Sequence, residues 1–351
     1  MQAPLSEQAL AAVTQNAGAP RNDLARQVDD LFTSPELGET RALVVMENGA
    51  IAAERYSDGY DADTRFVSWS MAKTITAIMI GMMVADGKLS LDESAPVPQW
   101  RRPGDARGEI TLRQLLQMRS GLRHTEAGNP PYDSSEVRML FLDGRDDMAQ
   151  WAEEQPLEAE PGAKFEYSSN TTVILADIAA DALTNSTDPD RRRQAVTDYL
   201  DARLFDPLQM SSMVPEFDAA GTLIGGSLIH GNARDWAKLG ELLRRKGKAP
   251  TGEQLVPRRW VEQMVAPSPR SPQYGLQTWL NRPLDNPDQP HPLFPDRGPH
   301  STFALIGHMG QYVIVSPDQR VTLVRLGHSA GEDRVRMVQQ LADILELYPV
   351  R

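Results

Sequence analysis

Residues 70–85 read SMAKTITAIMIGMMVA, and no other stretch constrains the fold as tightly. It is apolar on nearly every helical face. Such a helix has no side to offer water, so it must be packed all round inside a core. Its most apolar part, residues 77–85, is far short of the roughly 20 residues needed to cross a bilayer. Two polar residues head the helix, Ser70 and Lys73. Their i, i+3 spacing puts them on one face in side-chain reach. A helix N-terminus also presents unpaired N–H groups and the positive end of the dipole, which favours an oxyanion beside Ser70. The same field, with desolvation, is expected to depress the pKa of Lys73 and let it act as a base toward the serine hydroxyl. The plain alternative is an N-cap serine and a snorkelling surface lysine. A helix this apolar gives Lys73 no easy route to solvent.

The rest of the chain arranges itself around that helix. Residues 42–56 are two apolar runs about Asn48-Gly49, a tight-hairpin signal. Residues 303–306, 312–316 and 321–326 are short β-branched-rich runs, with Pro317-Asp318 as a turn. A helical pattern over 332–347 stops at Pro349. Between these ends, 112–118, 135–142, 148–154, 171–183 and 191–204 read as helices, and 236–245 as a further amphipathic one. The pattern predicts an α/β fold built from both ends of the chain, with an inserted, mostly helical region. The expected division is 1–85 plus 221–351 as the α/β part and 86–220 as the helical part. Residues 281–299 carry six prolines and must be irregular; a bland surface loop and a functional loop are both open there.

Composition narrows the chemistry. The 351 residues include no cysteine, which excludes disulfides, thiolate metal sites and a thiol nucleophile. Lys and Arg total 36 against 48 Asp and Glu, a net charge of −12 that disfavours nucleic acid and anionic membranes as partners. No HExxH or paired-histidine spacing marks a metal site, and no cofactor is expected. His124 reads as structural. The N-terminus lacks the basic and apolar regions of a secretory signal. The compartment and oligomeric state stay open.

Six segments in order resemble the serine β-lactamase and penicillin-recognising superfamily, in its class C-like branch of esterases, D-aminopeptidases and 6-aminohexanoate-dimer hydrolases. They are SWSMAK (68–73), GKLSLDES (87–94), LLQMRSGL (115–122), PGAKFEYSSN (161–170), GGSLIHGNARDWAKLGELL (225–243) and GHMGQY (307–312). The resemblance implies a β-lactamase-like fold, an antiparallel sheet flanked by helices with the active site between the α/β and helical parts, and Ser70 as nucleophile with Lys73 as its base or proton relay. Tyr167 would be the tyrosine that passes a proton to the leaving group, with nearby cations favouring its phenolate. It implies an oxyanion hole from the backbone N–H groups of Ser70 and Gln311, with Gly310 giving close approach. Tyr132, Ser169 and His308 would touch substrate. Trp69, Trp279 and Tyr274 are candidate apolar walls, core packing being the stronger reading for the two tryptophans.

Departures from the lactamase pattern bear on the substrate. Where lactamases have Tyr-x-Asn this chain has Tyr167-Ser168-Ser169, with Asn170 one place late. Where they have Lys-Thr-Gly it has His308-Met309-Gly310, which replaces a fixed cation by a histidine. Glu166 is expected to point away. A small-molecule carboxylic ester or short amide is the implied substrate. The alternatives are a β-lactamase, a D-aminopeptidase or penicillin-binding enzyme, or a catalytically silent ligand-binding module.

Overall fold

A computed structural model describes residues 4–284, 286 and 289–351. The chain starts with helices α1 (Glu7–Ala11) and α2 (Arg21–Thr33), then the hairpin β1 (Glu39–Glu47) and β2 (Ala50–Tyr56). Asn48 and Gly49 take φ of 51° and 87°, the left-handed pair that a two-residue hairpin turn demands. Strand β3 (Phe66–Val67) leads through a 3₁₀ turn, Trp69–Met71, into α3 (Ala72–Ala85). Helices α4 (Leu112–Leu116), α5 (Ser135–Phe141), α6 (Met148–Glu153), α7 (Ser169–Leu183) and α8 (Pro189–Leu200) follow. Then come β4 (Val214–Pro215), β5 (Ile229–Gly231), α9 (Ala233–Arg244) and α10 (Arg258–Met264). The chain ends with β6 (Trp279–Leu280), β7 (Phe303–Gly307), β8 (Gln311–Ser316), β9 (Val321–His328) and α11 (Gly331–Glu346).

The main sheet has the order β2-β1-β9-β8-β7-β6, and every neighbouring pair is antiparallel. Successive residues of a strand point to opposite faces, and the two cores obey this. Ala42, Val44, Val313, Val315, Val324 and Leu326 join the core that holds α3 and α9. Leu43, Val45, Tyr312, Ile314, Val321 and Leu323 join the core beneath α2 and α11. An antiparallel sheet covered by helices on both faces is the expected architecture.

Residues 72–83 of α3 are all buried, as its composition requires. Gly81 makes room for a neighbour: a Cβ there would lie 2.2 Å from the Trp260 indole, which donates to Ala77 O at 3.0 Å. Helices and helical turns fill less than half of the segment 86–220, and it ends in β4, part of a small sheet of order β3-β5-β4. The predicted helix over 191–204 stops at Leu200 and passes into a π turn over Asp201–Phe205. No helix among the described residues is long and apolar enough to cross a membrane.

Candidate active site

The small sheet delivers Ser70 to its place. Ser68 N donates to Ile229 O at 3.2 Å, and Ile229 N returns a bond to Ser68 Oγ at 3.1 Å. Trp69 then takes φ of +45°, a left-handed conformation that a bulky residue rarely adopts. Strain of this kind collects at functional sites. Ser70 follows in the 3₁₀ turn, and Lys73 occupies the first turn of α3, 1% exposed.

Lys73 Nζ has three protons to give, and three acceptors take them: Ser70 Oγ at 2.8 Å, Ser169 Oγ at 2.7 Å and Gly226 O at 2.8 Å. The Gly225-Gly226 loop lies flush on this floor. A Cβ on Gly225 would meet Thr76 Oγ1 at 2.3 Å, and one on Gly226 would meet Ser169 O at 2.9 Å. Burial pulls the Lys73 pKa down, but Tyr167, Glu126 and Glu136 outweigh it and hold the pKa above the ordinary lysine value. The expectation of a depressed lysine is therefore overturned. Desolvation acts as argued, but the surrounding acidic groups win.

Tyr167 packs its ring against Trp279 and Tyr274, with centroids 5.1 and 5.7 Å away, and Lys73 Nζ sits 4.8 Å from its centroid. Burial raises the phenol pKa, opposed by the charge of Lys73 beside the ring. The expected phenolate gives way to a neutral phenol, a proton donor, because desolvation exceeds the effect of the single cation.

Beneath Ser70 lie two carboxylates that the sequence did not reveal. Ser169, the first residue of α7, donates its N–H to Glu126 Oε2 at 2.6 Å, a carboxylate on a helix N-terminus. Ser169 Oγ lies 2.6 Å from Glu126 Oε1 and 3.1 Å from Glu136 Oε1. Glu126 Oε1 is 3.9 Å from Lys73 Nζ. Thr125 and Ser135 hydrogen-bond each other and clamp the Glu126 loop to the head of α5. Asn170 braces α5 from the other side, through Ser135 O and Ser135 Oγ. Burial, reinforced by Glu126, pushes the Glu136 carboxyl up to about 7.

Above this floor opens a cavity of about 880 Å³. Ser70, Tyr167, Glu126 and Glu136 line its base. Trp69, Trp279, Leu140, Ile306, Leu293 and Val338 give apolar walls, the usual lining of a small-molecule site. Trp279 faces the cavity and also packs against the core beneath α2 and α11, Trp69 lines the cavity and contacts His308, and Tyr274 stands behind Tyr167 and is buried. The proline-rich loop also contributes a wall, through Pro290, His291, Pro292 and Leu293; its residues 285, 287 and 288 lie outside the described set. Arg334 lines the far side and donates to Tyr312 Oη at 3.2 Å. His124 is structural, bonded to Ala152 O and Thr171 Oγ1 at 3.1 and 3.3 Å, with burial pulling its pKa to about 4. Glu166 turns outward to Lys164.

Four expected substrate-facing positions sit elsewhere. Ser169 is fully buried under the floor, its hydroxyl committed to Lys73 and the carboxylates. Tyr132 is 61% exposed and outside the lining, which its neighbour Pro131 joins instead. Gly310, at φ +86°, faces Arg325 and Ser329. Gln311 folds its side chain back to His308 O and Gly327 O at 3.1 and 2.6 Å, bracing the hairpin from behind. The cavity is lined instead by Ile306, Gly307, His308 and Met309. Gly307 runs so close to the Ser70 segment that a Cβ would lie 2.3 Å from Ser68 O. The reason is the turn: Met309 and Gly310 both have positive φ, which swings the residues after His308 away from Ser70.

Comparison with known proteins follows the same line. The family model described as Beta-lactamase matches residues 39–346. The 6-aminohexanoate-dimer hydrolase of Paenarthrobacter ureafaciens is 26% identical over 258 residues, covering 69% of this chain and 61% of that protein. The chain thus spans under two thirds of that relative's length. A Bacillus anthracis structure provisionally assigned as a 6-aminohexanoate-dimer hydrolase superposes with a TM-score of 0.69 at 21% identity, over 99% of this chain and 88% of its own. A penicillin-binding protein homologue from Caulobacter crescentus gives 0.64 at 15% identity, over 94% and 98%. At those identities the two structures show a shared fold.

Proposed function

Because this chain belongs to the β-lactamase family, we propose that it is a serine hydrolase that cleaves carboxylic esters or small amides through an acyl-enzyme on Ser70. The observation that carries the reading is the contact of Ser70 Oγ with Lys73 Nζ at 2.8 Å, at the base of an apolar cavity beside the Tyr167 phenol. Ser70 attacks the carbonyl. The developing oxyanion is held by the Ser70 N–H and by the N–H of His308, the residue at the close approach of β7. Two such donors contribute about 3 kcal/mol each to the transition state. The Lys73 ammonium steadies the alkoxide, and the neutral Tyr167 phenol protonates the leaving alcohol or amine. Water then attacks the acyl-enzyme with the roles reversed.

Amides of the 6-aminohexanoate type are the finer reading, supported by the Paenarthrobacter relative. Against an efficient β-lactamase stands His308, whose pKa burial lowers with help from Arg334, so that the position of the motif lysine holds a neutral ring. One observation favours the second reading, a penicillin-recognising enzyme. Arg334 supplies a cation to the cavity wall that can pair with an anionic substrate.

The test is a substrate panel of p-nitrophenyl esters, 6-aminohexanoate dimer, a D-alanyl dipeptide and nitrocefin, with mass detection of the acyl-enzyme. The expected result is turnover of esters or the dimer, an acyl adduct on Ser70, and loss of both in Ser70→Ala. Turnover by Ser70→Ala would overturn the assignment. Nitrocefin as the preferred substrate would replace it with the second reading.

A further inference from the structure

The resting geometry poses a question that the Ser70–Lys73–Tyr167 group does not answer. All three Lys73 protons are engaged, and the Glu126 carboxylate 3.9 Å away favours its ammonium form. Tyr167 is a neutral phenol. Neither is a base as it stands, so the Ser70 proton needs a further destination.

Proton counting at Ser169 identifies one. A serine hydroxyl has one proton and two lone pairs. Lys73 donates to one lone pair at 2.7 Å. The single hydroxyl proton can serve only one carboxylate, and the 2.6 Å contact marks Glu126 as its acceptor. Glu136, at 3.1 Å, can then bond Ser169 only as a carboxylic acid, using the second lone pair. Every site is filled when Lys73 is an ammonium, Glu126 a carboxylate and Glu136 an acid. The upward shift of Glu136 to about 7 agrees with that count.

We propose that Ser169 relays a proton from Lys73 to Glu126, so that the Glu126 carboxylate finally takes the Ser70 proton and Glu136 is the acid that positions the relay. The inference rests on the Ser70 acyl-enzyme reading. The Ser169 proton moves to Glu126 Oε1 and Lys73 Nζ gives one of its own to Ser169 Oγ, which leaves Lys73 an amine with a lone pair toward Ser70. As Ser70 Oγ bonds to the carbonyl carbon, its O–H breaks and that amine takes the proton. Lys73 and Ser169 end as they began, and Glu126 is neutral. When Tyr167 protonates the leaving group, the same path runs backward through Lys73 to restore the phenol. Only charges within the molecule are redistributed, and no outside acid or base is needed.

The groups facing the carboxylates are Lys73 on α3, Ser169 at the head of α7, Tyr167 before it, and, further off, Tyr274 and His308. Lys73 Nζ lies 3.9 Å from Glu126 Oε1. The test is the pH profile of kcat/KM on a p-nitrophenyl ester for wild type, Glu126→Gln and Ser169→Ala. Wild type is expected to work at neutral pH. Each variant should lose about 100-fold at pH 7, the worth of a general base, and recover as alkali strips Lys73 of its proton. A proton inventory in mixed heavy water should be curved for wild type and linear for Ser169→Ala. Wild-type rates and profiles in both variants would overturn the relay. If circular dichroism shows Glu126→Gln unfolded, Ser169→Ala decides alone. Fluorophosphonate labelling at alkaline pH separates the two claims. A Ser70 adduct in slow variants supports the relay, whereas no Ser70 adduct in wild type would defeat the acyl-enzyme reading itself.

Discussion

Lys73 and Arg325 are both buried cations, 1% and 0% exposed, and they are housed in opposite ways. Lys73 stands among proton-bearing partners, with Glu126, Glu136 and Tyr167 around it. Arg325 has only neutral acceptors: Thr40 Oγ1, Gly310 O, Glu39 O and Ser329 Oγ, at 2.7–3.1 Å. Burial pulls Arg325 down to about 9, which still leaves it charged at neutral pH. A guanidinium does not give up its proton in ordinary chemistry. The contrast teaches what each cation is for. Arg325 is a brace that ties β9 to the start of β1 and to the turn behind His308. Lys73 sits where a proton can arrive and leave.

Removing each cation should separate these roles. Lys73→Met is expected to cut kcat/KM by about 10⁴-fold. It also strands Ser169 Oγ, Gly226 O and the Glu126 carboxylate, so it should cost stability as well, and the two cations separate on kcat/KM. Arg325→Met should leave the Ser70 chemistry largely in place. It strands several acceptors and should cost about 3 kcal/mol of stability, read by denaturant unfolding. Its effect on kcat should be smaller than that of Lys73→Met, through a loosened His308 turn. If Arg325→Met is as inactive as Lys73→Met while fully stable, the division of labour fails.

A smaller effect concerns pH. Glu136 and Glu153 are held protonated in the fold, pushed up to about 7 and about 8, burial being the main cause in both. Each binds its proton more tightly folded than unfolded. Their stabilisation is therefore complete below the ordinary carboxyl value of 4.5 and is lost as pH rises through about 7 and about 8. Thermal midpoints should fall between pH 6 and 9, and Glu153→Gln should flatten that decline. A midpoint that rises over this range would contradict the assignment. Since Glu153 lies away from the cavity, kcat at pH 7 should not move.

How much of this was legible follows the distance over which information travels. Ser70 and Lys73 could be read because one helix turn joins them and its apolar faces leave Lys73 nowhere else to go. The strands could be read because period two divides Leu43 and Val45 from Ala42 and Val44, one set for each core. The amphipathic pattern of α2, with Leu24, Ala25, Val28 and Leu31 buried, is present in the sequence but passed unread. Motif order located the hairpin and His308, which lines the cavity, but the backbone of Met309 and Gly310 decides where the turn reverses, and Gly307 lines the cavity where Gly310 and Gln311 were expected. Glu126 and Glu136 left no local signal at all. In sequence one is a loop acid and the other a first-turn acid, and only the Thr125–Ser135 clamp and the head of α7 bring them to one hydroxyl.

The Gly225-Gly226 loop sets where this protein can change. A single added methyl would drive Gly225 into Thr76 and Gly226 into Ser169, and so lift the third acceptor from Lys73. The floor is in effect closed to variation. The mouth is not: Phe141 and Val335 line the cavity yet are 50% and 64% exposed. New specificities should therefore arise, in nature or in the laboratory, by rewriting the rim over an unaltered floor.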